Sequence, residues 1–427
     1  MKVLVIGSGG REHAIIRKLK ESPNVTQLYC APGNGGIAAD AVCVPLKATD
    51  VDALAAWAAE NAMDYVVVAP DDPLALGLVD LLAERGIPAF GPTKAAARIE
   101  ASKVFSKDLM KKYHIPTAKY EAFSDPDEAL RYIRAEGKYP VVVKADGLAL
   151  GKGVLICQNE SEAAKALREI LLDGKFGASG SRVVVEEFLT GPEVSVLSFT
   201  DGEVVKPMVS SMDHKRALDG DAGLNTGGMG TVAPNPYYTE AVAQLCMETI
   251  FKPTIAAMKA EGCPFKGCLY FGLMLTPEGP KVIEYNCRFG DPETQVVLPL
   301  LQSDLLEVMR ATTDGTLAGT EVAFSAQSAA CVILASGGYP QSYQTGKPIQ
   351  GLQGGQLPDG GATVYHAGTR ADEDGTLLTA GGRVLGVTAV ADTLLGAVKA
   401  AYAAAENITF EGMHKRGDIG QRALAAK

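Results

Sequence analysis

The first 100 residues alternate between short apolar strands and helices, and this alternation constrains the possible fold more than any other feature. The pattern predicts strands at Val3–Gly7, Gln27–Ala31, Tyr65–Pro70 and Pro88–Phe90. It predicts helices between them at Glu12–Lys20, Val51–Ala62 and Leu74–Arg85. Strands that alternate with helices form a parallel sheet covered by helices on both faces. Residues 1–101 are therefore predicted to form a doubly wound α/β domain.

Two further regions follow this domain. A helical pattern runs from Thr93 to Tyr113, and a mixed α/β region extends to about residue 324. Its predicted elements are strands at Val141–Lys144, Val154–Cys157, Val183–Phe188 and Val194–Thr200, a helix at Thr239–Ala260, and a hairpin of Leu269–Leu275 with Lys281–Asn286. Residues 325–427 contain short strands, many glycines and a helix at Thr393–Glu406, which predicts a small α+β domain.

The overall composition argues against several classes of protein. The 427 residues carry a net charge of −10, which disfavours a general nucleic-acid-binding surface. The eight cysteines are scattered without a C-x-x-C pair, so neither a zinc site nor a disulfide framework is expected. No apolar run is long enough to span a membrane, and the N-terminal sequence enters a strand directly, with no signal peptide. We expect a cytoplasmic protein with no membrane or nucleic-acid partner.

The stretch from Val282 to Asn286 predicts a metal-dependent site. Glu284 and Asn286 are two residues apart on a predicted strand, so their side chains point to the same side. A carboxylate and an amide oxygen suit Mg²⁺, which completes its shell with phosphate oxygens and water. Arg288 follows two residues later and suits a phosphate or a carboxylate. This combination is what phosphoryl transfer from a nucleotide requires, although a solvated edge strand would show the same spacing.

Two glycine-rich segments indicate phosphate binding. Gly7–Glu12 follows the first strand, and its glycines allow backbone amides at a helix N-terminus to approach a phosphate. It lacks the third glycine of a dinucleotide fingerprint, so a single phosphate is favoured over NAD. The segment Lys144–Gly153 joins two apolar strands and contains Gly147, Gly151 and Lys152. It is not a P-loop, because Gly153 stands where Ser or Thr would bind magnesium, and a hairpin closing over a triphosphate fits better.

Three more segments carry clustered polar groups. The strand at Val183 ends in two acids, and Glu193 begins the next strand, an arrangement suited to an adenine edge and ribose hydroxyls or to a charged edge strand. Asp213–Arg216 places two adjacent cations before Asn225–Gly230, whose exposed amides can form an anion nest. His214, flanked by charges, fits a structural role better than that of a general base.

Together these segments resemble the glycinamide ribonucleotide synthetase family of ATP-grasp ligases. The matching segments are VLVIGSGGREHA, APGNGG, VVVKADGLALGKGV, VVEEFLTGPEVS, DHKR, NTGGMG, VIEYNCRFGDPETQ and RGDIGQRAL. They follow one another over nearly the whole chain, and NTGGMG and NCRFGDPETQ are the most specific. The resemblance implies an ATP-grasp domain at 102–324, with a lid at about 118–190, between the doubly wound domain and the α+β domain at 325–427. It also implies the ligation of glycine to 5-phosphoribosylamine through glycyl phosphate, with ADP and phosphate released.

The resemblance further implies roles for individual residues. The catalytic residues would be Arg288, Lys144 and Asp213. ATP would contact Lys103, Lys144, Gly147, Gly151, Lys152, Gly153, Glu186, Glu187, Leu189 and Glu193. The substrates would contact Gly9, Gly10, Arg11, Glu12, Asp71, Asp213, Lys215, Gly227, Gly228, Met229, Gly230 and Arg288. The metal, Mg²⁺ or Mn²⁺, would be held by Glu284 and Asn286. Asp71 departs from the family pattern, which usually has a glutamate there.

Three other interpretations remain open at the level of sequence. A different ATP-grasp carboxylate–amine ligase would share the ATP site and differ in its substrates. A nicotinamide oxidoreductase would rest on Gly7–Gly10 alone. A non-catalytic nucleotide sensor would not need Lys144, Glu284, Asn286 and Arg288 together. For the favoured interpretation we expect small-molecule substrates and a monomeric protein.

Overall fold

The N-terminal region forms the parallel sheet that its sequence predicts. The structure is a computed structural model that describes residues 1–148, 153–173, 177–358 and 360–426. The strands of this region are β1 (Lys2–Gly7), β2 (Gln27–Pro32), β3 (Val42–Cys43), β4 (Tyr65–Val68) and β5 (Ala89–Phe90). The helices are α1 (Gly10–Leu19), α2 (Val51–Glu60), α3 (Asp71–Leu76) and α4 (Leu78–Glu84). The strand order is β3-β2-β1-β4-β5, and all four pairings are parallel.

The middle region contains two four-stranded antiparallel sheets and one two-stranded sheet. Its helices are α5 (Lys94–Ala101), α6 (Lys103–Lys112), α7 (Pro126–Glu136), α8 (Glu160–Leu171), α9 (Glu240–Cys246), α10 (Lys252–Ala260), α11 (Thr294–Val297) and α12 (Leu305–Asp314). Its strands are β6 (Tyr120–Phe123), β7 (Val141–Ala145), β8 (Val154–Cys157), β9 (Val183–Glu187), β10 (Glu193–Thr200), β11 (Val205–Pro207), β12 (Met212–Asp213), β13 (Arg216–Leu218), β14 (Ala222–Asn225), β15 (Gly230–Ala233), β16 (Gly267–Thr276) and β17 (Gly279–Asn286). One four-stranded sheet has the order β6-β9-β7-β8 and the other β11-β10-β16-β17, while β13 and β14 form the two-stranded sheet.

The C-terminal sheet extends into the middle of the chain. Its own elements are β18 (Ser328–Ser336), β19 (Thr363–His366), β20 (Thr369–Ala371), β21 (Leu377–Thr379), β22 (Arg383–Ala391), α13 (Leu394–Ala405), β23 (Met413–His414) and α14 (Gln421–Leu424). The sheet order is β12-β15-β18-β22-β19, and Gly230–Ala233 pairs antiparallel with β18. Backbone hydrogen bonds therefore join the chain segments on the two sides of residue 325.

Two predicted helices are wrong in one respect, because each is interrupted. The pattern from Leu74 to Arg85 breaks at Gly77, which adopts a φ of +96° and so leaves the helical conformation. The pattern from Thr93 to Tyr113 breaks at Ser102, which is extended and caps α6 by accepting a hydrogen bond from the Phe105 amide. The second break places Lys103 at the first position of a new helix.

The strand that carries the predicted metal ligands is confirmed and is anchored from one side. Val282 and Tyr285 are buried, and β17 pairs antiparallel with β16 in the predicted hairpin. The register shifts by one residue between the Glu284 and Val282 pairings, which leaves Ile283 in a bulge. Glu284 and Asn286 remain only partly buried at the end of this strand.

Candidate active site

Glu284 lies among cations at the end of β17. Its side chain is 35% exposed, and Lys215 Nζ lies 3.7 Å from its Oε1. Burial raises the pKa of Glu284, but Lys215, Lys144 and Lys103 more than offset this effect, so the pKa is lowered. Glu284 is therefore an ionised carboxylate surrounded by ammonium groups, as expected for a site that handles a polyphosphate.

Lys144 is fixed by two partners. Its ammonium forms an ion pair with buried Glu186 and donates to the Ile283 carbonyl at 3.1 Å, the group that the β17 bulge exposes. Lys107, which sequence reasoning missed, pairs with the other oxygen of Glu186. Burial raises the pKa of Glu186, yet the two ammonium groups hold it below its ordinary value. Glu186 thus orients two lysines near the end of β9, and the helical spacing of Lys103 and Lys107 was the available signal for Lys107.

Lys103 is held by the start of the glycine-rich loop. Its ammonium donates to the Gly147 carbonyl at 2.9 Å, and its pKa is lowered by burial. Asp146 receives hydrogen bonds from Ser102 Oγ and from Arg182, the latter at 2.9 Å. Asp146 therefore joins the break between α5 and α6 to the loop, a contact that no local sequence pattern indicates.

The remaining residues predicted to contact ATP are Glu187, Leu189, Glu193 and residues of the glycine-rich loop. Glu187 is exposed, Leu189 is half-buried, and Glu193 pairs with Lys215 at 3.0 Å. The Gly153 carbonyl accepts a hydrogen bond from Ala145 at the far end of the loop. The predicted contacts of Gly151 and Lys152 lie outside the described residues.

A second neighbourhood forms where α1 begins. The Arg11 amide donates to Asp291 Oδ2 at 3.3 Å, and Arg11 Nη1 donates to the Phe289 carbonyl at 3.2 Å. A Cβ on Gly10 would lie 2.5 Å from Gln295 Nε2, so a larger residue there would require the Gln295 side chain to move. The predicted phosphate loop is thus packed directly against the segment that follows β17.

Glu12 is buried and holds this loop in place through its carboxylate. Its side chain is 1% exposed, its Oε2 accepts from the Gly9 amide at 2.5 Å, and its Oε1 accepts from Arg11 Nε at 2.6 Å. A Cβ on Gly7 would lie 2.5 Å from Glu12 Cγ. The carboxylate is therefore a capping group that fixes the loop, in the manner of a capping box.

The predicted anion nest is held by the C-terminal region. Arg383 Nη1 donates to the Gly227 and Asp291 carbonyls at 2.7 and 2.8 Å, and the Tyr339 hydroxyl accepts from the Gly227 amide at 3.0 Å. Gly228 has a φ of +113°, and a Cβ there would lie 2.7 Å from Asp213 Oδ1. Sequence reasoning missed Arg383 and Tyr339, which lie more than 100 residues from the loop.

The side chain of Met229 points into the protein interior. It is fully buried, and its amide donates to the His214 carbonyl at 2.8 Å. Gly230 is also buried, with its ideal Cβ position 2.7 Å from the Cys331 carbonyl. These two residues anchor the loop to β18, whereas Gly227 and Gly228 form its outer part.

Asp213 lies beside a second acid that sequence reasoning missed. Burial and the Glu293 carboxylate raise the pKa of Asp213 well above its ordinary value, and burial likewise raises the pKa of Glu293. Glu293 is 4% exposed, and Ser195 Oγ donates to it at 3.4 Å. Two acids that repel each other in this way are suited to a cationic ligand between them. The FGDPETQ segment was the available signal for Glu293.

Arg288 is oriented by an acid and retains an unused donor. Its Nη2 donates to Glu100 Oε1 at 2.9 Å, and Glu100 also accepts from the Cys287 amide at 2.7 Å. Its buried Nε has no hydrogen-bond partner among the described residues. Asp71 acts electrostatically on both Arg288 and Glu100, which places it in this neighbourhood. The arrangement leaves Arg288 able to bind an anion.

His214 is structural, as the sequence favours. Its Nδ1 bonds to the Gly230 carbonyl at 3.1 Å, and its Nε2 accepts from the Gly420 amide at 3.1 Å. Burial lowers the pKa of His214 to about 4. With both ring nitrogens engaged by backbone groups, His214 is not placed to act as a general base.

The donor set fits a divalent cation that is shared with a ligand. Among the described residues no group of three or more His, Cys, Asp or Glu side chains could hold a metal ion. Glu284 and Asn286 supply one carboxylate and one amide oxygen, the number that Mg²⁺ uses when substrate phosphates and water complete its shell.

Within the described part of the chain, no helix is both long and apolar enough to cross a membrane.

Comparisons with known proteins agree on one family. The models of the phosphoribosylglycinamide synthetase N domain, ATP-grasp (A) domain and C domain match residues 1–100, 101–294 and 329–422. A phosphoribosylamine–glycine ligase of Caldanaerobacter subterraneus subsp. tengcongensis is 48% identical over 98% of this chain and 99% of that protein. One from Vibrio vulnificus is 47% identical over 100% of this chain and 99% of that protein.

Solved structures give the same result. The crystal structure of a phosphoribosylamine–glycine ligase from Thermotoga maritima superposes with a TM-score of 0.85 at 34% identity, covering 98% of this chain and 100% of that one. The biotin carboxylase domain of Hydrogenobacter thermophilus 2-oxoglutarate carboxylase, solved with MgADP and bicarbonate, has a TM-score of 0.73 at 19% identity and covers 97% of this chain and 91% of that one. The second likeness concerns the fold alone. The predicted fold class, an ATP-grasp fold between a doubly wound and an α+β domain, is confirmed.

Proposed function

The chain belongs to the phosphoribosylglycinamide synthetase family, and we propose that it joins glycine to 5-phosphoribosylamine with ATP, through glycyl phosphate. The products are glycinamide ribonucleotide, ADP and phosphate, in a step of purine biosynthesis. A glycine carboxylate is a poor electrophile because its charge is delocalised. Transfer of the γ-phosphoryl group to that carboxylate creates a leaving group, which the amine of phosphoribosylamine then displaces. The protein must therefore place three substrates at one point and stabilise the charge of the transferred group.

Lys144 and Lys103 bind the ATP phosphates. The Ile283 carbonyl fixes the Lys144 ammonium and the Gly147 carbonyl fixes that of Lys103, so little rearrangement is needed when the phosphates arrive. Glu284 and Asn286 hold the divalent cation, Mg²⁺ or Mn²⁺, which neutralises charge on the phosphates when bound. Glu186 fixes Lys144, while Glu187, Leu189 and Glu193 line the cleft for adenine and ribose.

Glycine binds between Asp213 and Arg288. The glycine ammonium would offset the repulsion between Asp213 and Glu293, whose pKa values are both raised. The free Nε of Arg288 supports a contact with the glycine carboxylate or the acyl phosphate. Asp71 adds negative charge near Arg288 and contributes to recognition of the amine substrate.

Phosphoribosylamine binds between two glycine-rich loops. Gly9, Gly10 and Arg11 lie at the start of α1, where a phosphate is favoured, and the amides of Gly9 and Arg11 are held by Glu12 and Asp291. Gly227 and Gly228 face them across Asp291, and Lys215 lies on the ATP side. Glu12, Met229 and Gly230 hold the two loops in shape.

The domain limits that we propose are 1–101, 102–324 and 325–427, with a lid at about 118–190. The lid is supported by its separate core, in which Ile133, Val143, Leu167 and Val185 are buried together. The C-terminal region supplies Arg383 and Tyr339 to the substrate loop, which gives it a part in substrate binding.

The observation that carries the proposal is the convergence of Lys144, Lys103 and Lys215 on Glu284 at one strand end. The test is ADP formation with glycine and phosphoribosylamine each present or omitted, with product followed by mass spectrometry. We expect glycinamide ribonucleotide only with all three substrates and a divalent cation. Full ADP release with another amino acid in place of glycine would assign the chain to a different ligase reaction. Parallel titrations with Mg²⁺ and Mn²⁺ identify the preferred ion.

A further inference from the structure

The C-terminal segment contains a buried arginine to which the reaction above gives no role. Arg416 is 1% exposed, and its Nε and Nη2 donate to the two oxygens of Asp418, both at 2.7 Å. Its Nη1 donates to Asp221 Oδ1 and to the Arg216 carbonyl, both at 3.0 Å. Charge-assisted, bidentate pairing of this kind fixes the direction of a guanidinium as well as its position.

The same C-terminal segment is bonded to three residues of the strand segment 213–217. Gly420 donates its amide to His214 Nε2 at 3.1 Å, and Arg416 donates to the Arg216 carbonyl. His414 Nε2 donates to the Ala217 carbonyl at 2.7 Å. Contacts between residues about 200 positions apart thus fix this segment from one side.

The other side of the segment faces the candidate active site. His214 and Arg216, which the C-terminal segment holds, flank Lys215, and His214 also follows Asp213 directly. Lys215 reaches Glu193 at 3.0 Å and Glu284 at 3.7 Å. The position of Lys215 therefore depends on what holds the residues on either side of it.

A turn in the 219–221 region ties the two segments together again. Asp219 Oδ1 accepts from the Gly417 amide at 2.7 Å, and Asp418 Oδ2 accepts from the Gly220 amide at 2.8 Å. These reciprocal bonds, together with the Arg416 contacts, leave the 213–221 segment little freedom to shift relative to the C-terminal segment.

We propose that Arg416 is a positioning residue, which holds Lys215 and Asp213 in the geometry that the glycine site requires. The C-terminal segment thereby acts on catalysis without touching a substrate. The inference rests on the proposed function, since it needs Asp213 to bind glycine and Lys215 to lie between the acids of the ATP site.

The test compares Arg416→Lys with the matched control Arg422→Lys. Arg422 pairs with the other oxygen of Asp221 at 3.1 Å but is 53% exposed. Arg416→Lys should raise the KM for glycine at least tenfold and change the KM for ATP less than threefold, because Lys103 and Lys144 are held elsewhere. Arg422→Lys should keep both values. A loss of folded enzyme alone would lower kcat and leave both KM values unchanged, and that outcome would overturn the proposal.

A double substitution tests whether Arg416 acts on catalysis through Lys215. If Arg416 acts through Lys215, Arg416→Lys should add less than a twofold loss in kcat/KM to a Lys215→Met enzyme. If Arg416→Lys lowers kcat/KM of the Lys215→Met enzyme by the same factor as in the wild type, Arg416 does not act through Lys215 and the proposal is overturned. A Lys215→Met variant with wild-type activity would instead contradict the role proposed for Lys215. An unchanged glycine KM in Arg416→Lys would contradict only the positioning role of Arg416.

Asp219→Asn provides a variant that should fold in any case, because Asp219 is exposed. It weakens the bond to the Gly417 amide and leaves the Arg416 pairs in place. We expect a two- to threefold increase in the glycine KM with an unchanged thermal midpoint. A folded Asp219→Asn enzyme with a wild-type glycine KM would overturn the part of the proposal in which the 219–221 turn helps Arg416 to hold Lys215 and Asp213.

Discussion

At the scale of single residues, the charge of Glu284 is the property that matters most. The side chain lies at the exposed end of a well-anchored strand, so its loss removes little packing. Its lowered pKa keeps it ionised, and three lysines surround it. A neutral side chain of the same shape at this position would therefore separate the contribution of charge to catalysis from its contribution to folding.

We expect Glu284→Gln to lower kcat roughly a hundredfold or more, because stabilisation of the transferred phosphoryl group is lost. ATP should still bind through Lys144 and Lys103, with a weaker dependence on Mg²⁺. ADP release measured against Mg²⁺ concentration, beside a thermal melt, checks this. The control Glu278→Gln changes an exposed acid at the hairpin turn. A Glu284→Gln enzyme with wild-type turnover would remove this residue from the metal site.

Gly228 is a second position where a single added atom, the Cβ of alanine, should affect catalysis. Its φ is +113°, and a Cβ would lie 2.5 Å from Pro292 Cδ and 2.7 Å from Asp213 Oδ1. Gly279 has a similar φ of +118° but no atom within 4 Å of the Cβ position. Gly228→Ala should therefore lower kcat/KM at least tenfold through displacement of Asp213, and Gly279→Ala should lower only stability. Equal kinetic losses in the two variants would show that backbone strain alone, and not the contact with Asp213, is responsible.

At the scale of elements, the break between α5 and α6 builds part of the ATP site. Ser102 caps α6 and also donates to Asp146 Oδ1 at 2.9 Å, so the new helix starts at a fixed distance from the glycine-rich loop. Lys103 is the first residue of that helix and donates to the Gly147 carbonyl. A continuous helix would turn Lys103 to a different direction.

Ser102→Ala tests this arrangement against Thr93→Ala, the cap of α5. Each change removes one N-cap hydrogen bond and should cost about 0.5–2 kcal/mol of stability. Only Ser102→Ala should also raise the KM for ATP, by about threefold or more, because the Ser102 hydroxyl, unlike that of Thr93, also donates to Asp146. The measurements are thermal melts and steady-state kinetics for both variants. An ATP KM that rises equally in Thr93→Ala would indicate a general loss of stability.

Much of this organisation can be read from the sequence, and the limits are physical. Local periodicity predicts the parallel sheet, the β16–β17 hairpin and the Glu284–Asn286 pair, since each depends on neighbours in the chain. It does not show the helix break at Ser102, because the residues on both sides are good helix formers and the Asp146 contact that favours the break is remote. Arg383, Tyr339 and Glu100 were missed for the same reason: each acts on a residue more than 100 positions away.

At the scale of the whole molecule, the N-terminal and C-terminal regions are joined beside the phosphate loop. The side-chain amide of Asn34 donates to the Ser8 carbonyl at 2.9 Å and to the His366 carbonyl at 2.8 Å. The His366 amide donates to His13 Nδ1 at 2.8 Å. The Ala31–Gly36 segment, conspicuous in the sequence, thus holds the first glycine-rich loop against the C-terminal region, and neutral imidazole groups belong to this contact.

These buried histidines make the folding stability of the protein sensitive to acid. Burial lowers the pKa values of His214 and His366 to about 4, and it also lowers the pKa of His13. In the unfolded chain a histidine titrates near pH 6.5, so between about pH 6.5 and 4 the unfolded state binds more protons. The stability that the neutral imidazoles contribute is therefore complete above pH 6.5 and is lost as the pH falls toward 4.

We expect the thermal midpoint to fall between pH 7 and pH 5, with His214 and His366 each costing roughly 2 kcal/mol over that interval. His366→Gln should have a lower midpoint at pH 7, because the ring bonds to Gly355 and Thr369 are lost. Its midpoint should nevertheless fall less on acidification than that of the wild type, since one titrating group is gone. His114→Gln, which alters an exposed side chain, should keep the wild-type pH dependence. A His366→Gln protein that loses as much stability between pH 7 and pH 5 as the wild type would place the acid sensitivity elsewhere, in the carboxylate pairs that hold Arg416 and Arg288.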